Sequence, residues 1–173
     1  MGPVCGRLDQ GRIHFQHGPI DLVIFALGES AVIEEAHAKA WARFGQILPE
    51  LVAELPDLRQ AIDPRVQCGM VGPVARRMWS ACRPSARDFL TPMAAVAGSV
   101  SDEIVDFYRT AGVRRAAINN GGDIALHLEA GERMRIAVVP DLSDPHAAHD
   151  PGKRLRLNID AANPVRGVAT SGW

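Results

Sequence analysis

Ile118-Asn119-Asn120-Gly121-Gly122-Asp123-Ile124-Ala125-Leu126-His127-Leu128 is the stretch whose reading decides how this chain folds. A short apolar run, Ala116 to Ile118, enters it, and an apolar run with one histidine leaves it. Between them stand two Asn, two Gly and an Asp, residues that tolerate positive φ and make tight turns. The spacing predicts a β-hairpin. Its turn is rich in backbone N–H groups free of bulky side chains. Such a turn either only reverses the chain or offers a concave nest of amides to an anion, and spacing alone leaves both readings open.

Downstream of the hairpin, Gly131-Glu132 make a second turn and Met134 to Val139 supply a third strand, so a β-meander is expected. Asp141 to Gly152 reads as loop with two Asp-Pro pairs, and it carries His146-Ala147-Ala148-His149. An HxxH pair can bind a metal, but no carboxylate in helical placement accompanies it, and plain loop is the stronger reading. Leu155 to Ile159 alternate apolar with polar or basic residues, the mark of a half-buried strand. Asn163-Pro164 then turns into Val165 to Trp173. A hydroxyl-bearing turn at the end of a strand has nothing after it to cover it, so the chain is expected to be the front part of a longer domain.

Upstream, Arg12 to Phe15 and Asp21 to Leu27 flank His17-Gly18-Pro19 and predict an opening hairpin. His14 and His17 beside that turn read as half-exposed strand residues, since no ligand partner is near them in sequence. Ser30 is a plausible N-cap for a long helix whose buried face is Ile33, Ala36, Ala40, Phe44, Ile47, Leu51 and Leu55. Pro49 is expected to kink or split it. Gly72-Pro73 opens a second helix with Val74, Met78 and Cys82 on one stripe. Arg76, Arg77, Arg83 and Arg87 follow with no acidic residue between them: a solvated face is the stronger reading, and the alternative is that one or two of these arginines hold a phosphate. Thr91 to Gly98 is small and apolar. Ser99 and Asp102 then have capping-box spacing for a third helix with a buried stripe of Ile104, Val105, Tyr108 and Ala111, ended by Gly112. Small residues before a helix N-terminus let a ligand approach the backbone, and equally permit tight helix-on-sheet packing.

At 173 residues with 47% apolar and 23% charged composition, the chain suits one globular domain, residues 1–173, with a substantial core. A net charge of -1 argues against non-specific nucleic-acid binding, so any anion site must be a local cluster. Three cysteines, Cys5, Cys68 and Cys82, form neither a disulfide framework nor a zinc knuckle. Met1 to Gly11 holds no signal-peptide pattern, and the longest apolar stretch, Met93 to Val100, is too short to cross a bilayer. The expectation is a soluble cytoplasmic protein without a membrane or nucleic-acid partner. The fold class expected is α+β: a mostly antiparallel sheet packed by two to three helices.

Asn119-Asn120-Gly121-Gly122-Asp123-Ile124 and Gly167-Val168-Ala169-Thr170-Ser171-Gly172, with the helix opened by Gly98 and Asp102 before them, resemble the ApbE-like superfamily. Its members carry a helix of the type G-x-G-x-A-A-D, a Gly-Gly turn after a strand, and a strand ending in S/A-T-S-G. The likeness runs from Pro92 to Trp173. The segments Thr91 to Gly98, N-N-G-G-D-I-A-L and R-G-V-A-T-S-G-W are similar to an uncharacterised cytoplasmic branch of that superfamily. Two departures stand out. Ser99, Val100 and Ser101 occupy the family's aromatic-Ala-Ala positions, and the H-x-I-D-P motif that classically follows T-S-G, with its metal-binding acid and threonine, would lie beyond Trp173.

The resemblance implies a flavin site, FAD or FMN, held by Gly98, Asn119, Asn120, Gly121, Gly122, Asp123, Thr170, Ser171 and Gly172. It implies magnesium with ligands past Trp173, and transfer of FMN from FAD onto a threonine of an acceptor protein. Pyrophosphate cleavage needs anion stabilisation, which amides at Gly121 and Gly122 with a nearby Arg would supply. Thr170 and Ser171 would donate to phosphate or ribose, and Asp123 or Asp102 would orient a hydroxyl or stand in a metal's outer shell. No residue is assigned as catalytic base. Two other classes stay open: a cofactor binder without turnover, and a structural module whose open edge is covered in a homo-oligomer.

Overall fold

The computed structural model describes residues 2–87, 89–138, 155–163 and 167–169. Its strands and helices are β1 (Val4–Arg7), β2 (Ile13–His17), β3 (Ile20–Gly28), α1 (Ser30–Ala53), α2 (Leu55–Leu58), α3 (Pro73–Cys82), α4 (Val96–Val105), β4 (Val113–Asn120), β5 (Asp123–Leu128), β6 (Arg133–Val138), β7 (Leu155–Asp160) and β8 (Gly167–Val168). The fold class is α+β, as the sequence suggests. Six strands make one antiparallel sheet in the order β1-β2-β3-β4-β5-β8, and β6-β7 form a separate two-stranded ribbon.

Both expected hairpins form where local turn chemistry demands them. His17 pairs with Ile20 across Gly18-Pro19, and Asn120 pairs with Asp123 across Gly121-Gly122. Alternation then sends Phe15, Leu22, Ile24, Ala116, Ile118 and Ala125 to one face of the sheet. Three helices cover that face. Ala36, Ala40, Phe44, Ile47 and Leu51 of α1, Val74 and Met78 of α3, and Val100, Ile104 and Val105 of α4 are all buried in this core. Tyr108 completes it with no exposed surface.

The helix boundaries differ from expectation in instructive ways. Glu29, not Ser30, is the N-cap of α1, and its N–H donates to the Gly112 carbonyl at 2.8 Å, so a neighbouring turn sets the start. The helix runs unbroken through Pro49, because Ile47 and Leu51 on either side are anchored in the core while Pro49 itself is exposed. Ser99 is not a cap either. A 3-10 turn over Pro92–Ala95 leads straight into α4, which begins at Val96 and leaves Ser99 buried inside the helix. Burial of Val100 and Ile104 sets the helix phase, and the capping-box spacing is overridden. At the far end Ala111 is exposed, and Gly112, at φ 93°, serves the turn into β4 and not the helix end.

Two sheet features were not foreseen. The edge strand β1 is four residues of VCGR, too short to show a period. The third strand of the expected meander does not join β5. The two residues of β8 take the edge of β5, opposite Ile124 and Ala125, and β6 pairs with β7 instead. The ribbon is tied to the sheet at one end, where Arg115 Nη1 donates to the Arg133 carbonyl at 3.0 Å and Glu132 receives Arg114 and Arg115.

Candidate functional site

The hairpin turn between β4 and β5 uses glycine where glycine is required. Gly121 and Gly122 have φ of 60° and 107°, the two positive values that a type I′ turn demands. A methyl group at Gly121 would meet nothing within 4 Å, so the turn is open on that side. Asn119 Oδ1 accepts the Gly122 N–H at 2.8 Å, which closes the turn on itself and leaves that amide already engaged.

Helix α4 is clamped onto this turn. Asn120, 8% exposed, donates from Nδ2 to the Ala97 carbonyl at 3.2 Å. Ser101, fully buried, donates from Oγ to the Asp123 carbonyl at 3.0 Å. Gly98, the third residue of α4, lies between these contacts, and a Cβ there would stand 3.8 Å from Asp123 Oδ2. The first turn of the helix thus lies beside the Asp123 carboxylate, at a distance that a methyl group would still fit. Gly98, Asn119, Asn120, Gly121, Gly122 and Asp123 are thus brought together. Thr170, Ser171 and Gly172 lie outside the described residues, as do His146 and His149. What is described of β8 pairs Val168 with Ile124 and Gly167 with Ala125, so this strand runs toward the turn end of β5.

The remaining sequence candidates fall elsewhere. Asp102 has Arg77, Arg109 and Asp106 as its charged neighbours, and burial pushes its carboxyl above the usual range against the pull of the two arginines. Arg77 is spent on Glu103 at 3.4 Å and Asp106 at 3.1 Å. Arg83 donates to the Pro64 carbonyl and lies 5.2 Å from the Trp79 ring centroid. Arg76 and Arg87 are exposed. The arginine run is therefore in the main a structural and solvated face. His14 meets Asp21 at 2.9 Å, and His17 is buried beside Phe44, not half-exposed. Among the described residues no group of three or more His, Cys, Asp or Glu is placed to hold a metal ion.

The other face of the six-stranded sheet carries a feature that motif reading missed. Between that face and the β6-β7 ribbon lies a cleft of about 1260 Å³. Val23, Phe25, Ala117 and Ile124 line its sheet side, and Arg133, Arg135, Arg156 and Asn158 are among the ribbon residues that border it. Its only advance signal was the basic alternation in Arg133-Met134-Arg135 and Arg154-Leu155-Arg156, which reads as an ordinary half-exposed strand.

A family model described as AbpE bacteria matches residues 5–173. The chain is 33% identical over 125 residues to a UPF0280 protein of Methanocella arvoryzae, a match covering 72% of this chain and 46% of that protein. A UPF0280 protein of Methanothrix thermoacetophila is 33% identical over 99 residues, 57% of this chain and 37% of the relative. One from Archaeoglobus fulgidus is 28% identical over 116 residues, 67% and 47% respectively. The chain thus spans less than half the length of these curated relatives. No helix among the described residues is long and apolar enough to cross a membrane.

Proposed function

The chain belongs to the family described as AbpE bacteria, and from that premise we propose that it carries a flavin site related to that of the FAD:protein FMN transferases. The observation that supports this reading is the clamp of α4 on the glycine turn, which gathers Gly98, Asn119, Asn120, Gly121, Gly122 and Asp123 around one open corner. A phosphate group fits there. Gly121 leaves room for close approach, and the first turn of α4 contributes the positive end of its dipole. Asn119 holds the turn in shape by taking the Gly122 N–H. Asp123 would orient a ribose or acceptor hydroxyl, and Thr170, Ser171 and Gly172 would donate to phosphate or ribose.

FAD in that site would supply the FMN phosphoryl group, so that the acceptor threonine oxygen bonds to phosphorus, the pyrophosphate bridge breaks and AMP leaves. Among the described residues no group of three or more His, Cys, Asp or Glu could hold a magnesium ion, and the ligands that the resemblance implies would come from elsewhere in the protein. A protein acceptor and a cytoplasmic location belong to the same proposal. The test is the visible spectrum and FAD fluorescence of the protein with FAD and magnesium, followed by AMP release in the presence of a threonine peptide. Flavin retained through gel filtration, with AMP produced, is the expected result. Retained flavin without AMP would leave a cofactor binder, and FAD with its free fluorescence unchanged would overturn the site.

A second reading rests on a specific observation. The Gly122 N–H, the Asn120 amide and the Ser101 hydroxyl are each satisfied inside the protein, as in a purely structural joint between helix and hairpin. On this reading the sheet edge is covered by a second copy of the chain. A monomer in sedimentation analysis would remove it.

A further inference from the structure

The cleft on the far side of the sheet stands apart from the glycine turn, since of the described residues assigned to the flavin site only Asn119 borders it. Its charge pattern follows from strand register. Arg135 stands opposite Asn158 and Ala137 opposite Arg156, so Arg133, Arg135 and Arg156 share one face of the β6-β7 ribbon. Same-face neighbours two residues apart on a strand are spaced by about 7 Å, and diagonal cross-strand neighbours by about 7–8 Å. Three guanidiniums therefore follow one another at short steps, an arrangement that repels itself unless an anion answers it.

No carboxylate among the described residues does. Arg7, Arg43, Arg65, Arg77, Arg109, Arg114 and Arg115 each hold an Asp or Glu partner. Arg133, Arg135 and Arg156 form no ion pair with a described carboxylate; Asp160, which also borders the cleft, stands across from Arg133 and accepts the Ala162 N–H through Oδ1, so the arginines outnumber it three to one. The opposite wall is of different character: Val23, Phe25, Ala117 and Ile124 give a partly exposed apolar floor, bordered by Arg115 and Asn119. At about 1260 Å³ the cleft admits a nucleotide-sized molecule.

We propose that this cleft binds a phosphorylated small molecule with at least two anionic groups, gripped by Arg133, Arg135 and Arg156 while its uncharged body lies on the Phe25 floor. The planar guanidinium fork is suited to bidentate contact with phosphate oxygens. The partner is a free metabolite-sized polyanion and not a nucleic acid, because the chain as a whole carries a net charge of -1.

Titration calorimetry with ADP, inorganic pyrophosphate and citrate tests this. ADP is expected to bind more tightly than pyrophosphate, with affinity falling as salt rises, and citrate to bind most weakly. The double substitution Arg135→Ala with Arg156→Ala removes two exposed side chains and is expected to weaken ADP about tenfold or more. Arg76→Ala, which removes the same charge from an exposed site on α3, is expected to leave ADP binding unchanged. The proposal is overturned if neither ADP nor pyrophosphate binds, if citrate binds as well as ADP, or if the double variant binds as the parent does. Equal loss in Arg76→Ala would overturn it too.

Discussion

Asn120 is the residue on which helix and hairpin depend. Its side chain is buried at the end of β4 and its Nδ2 reaches the Ala97 carbonyl. Asn120→Ala removes this tie between hairpin and helix, and the net worth of one such hydrogen bond is about 0.5–1.5 kcal/mol. Urea denaturation should show that loss, and an unchanged midpoint would remove the clamp from the account of this site. His37 offers a second test at this scale. It is 7% exposed, and its Nδ1 lies 2.6 Å from the Tyr108 hydroxyl, joining α1 to the segment after α4. Burial lowers the His37 pKa from its usual range, with Glu34 opposing the shift. The folded state therefore favours neutral imidazole. Its contribution is fully present above the unfolded value near pH 6.5 and is lost as pH falls from there toward the lower folded pKa. His37→Gln should flatten stability against pH in that window. If the variant keeps the slope of the parent, another group carries the titration.

Among elements, α3 begins with a cap that no local pattern announces. Gly72 precedes Pro73, and Glu54, from the end of α1, accepts the N–H groups of Val71 and Gly72 at 2.7 Å each. A distant carboxylate thus neutralises the positive end of the helix, a role that sequence rules assign to a residue next to the helix. Glu54→Ala should lower stability by about 1–2 kcal/mol, the usual worth of such a cap. Thermal melts of Glu54→Ala and Glu54→Gln would separate hydrogen bonding from charge. No loss in either would mean that Pro73 and the buried stripe hold α3 alone. The same contrast runs through the other elements. The buried stripe of α1, with Ala36, Ala40, Phe44, Ile47 and Leu51, was legible because helical period and burial coincide. The start of α4 was not, because Ser99 offered good local spacing that burial of its neighbours overrode.

At the scale of the whole molecule, the ribbon of β6 and β7 hangs on the sheet through Glu132. That carboxylate takes Arg114 at 2.9 Å and Arg115 at 3.1 Å and is only 20% exposed at its side chain. A two-stranded ribbon is marginal by itself. Glu132→Ala should therefore speed amide exchange in Arg133–Val138 and Leu155–Asp160 while β2, β3 and β4 keep their protection. Equal exchange in parent and variant would show that other contacts dock the ribbon.

Local chemistry was enough, without a structure, for the α+β class, both hairpins, the core stripes of α1 and α3, and the grouping of Asn119 to Asp123 in one turn. Each depends on period or turn propensity within a few residues, and such signals survive in one dimension. Only the tertiary structure decided that α4 lies across that turn, that β8 takes the edge where the third meander strand was expected, and that β6 and β7 face the sheet across a cleft lined with arginine. Those outcomes depend on which buried surfaces meet, and on the register between strands distant in sequence. Neither leaves a mark in the order of residues along the chain.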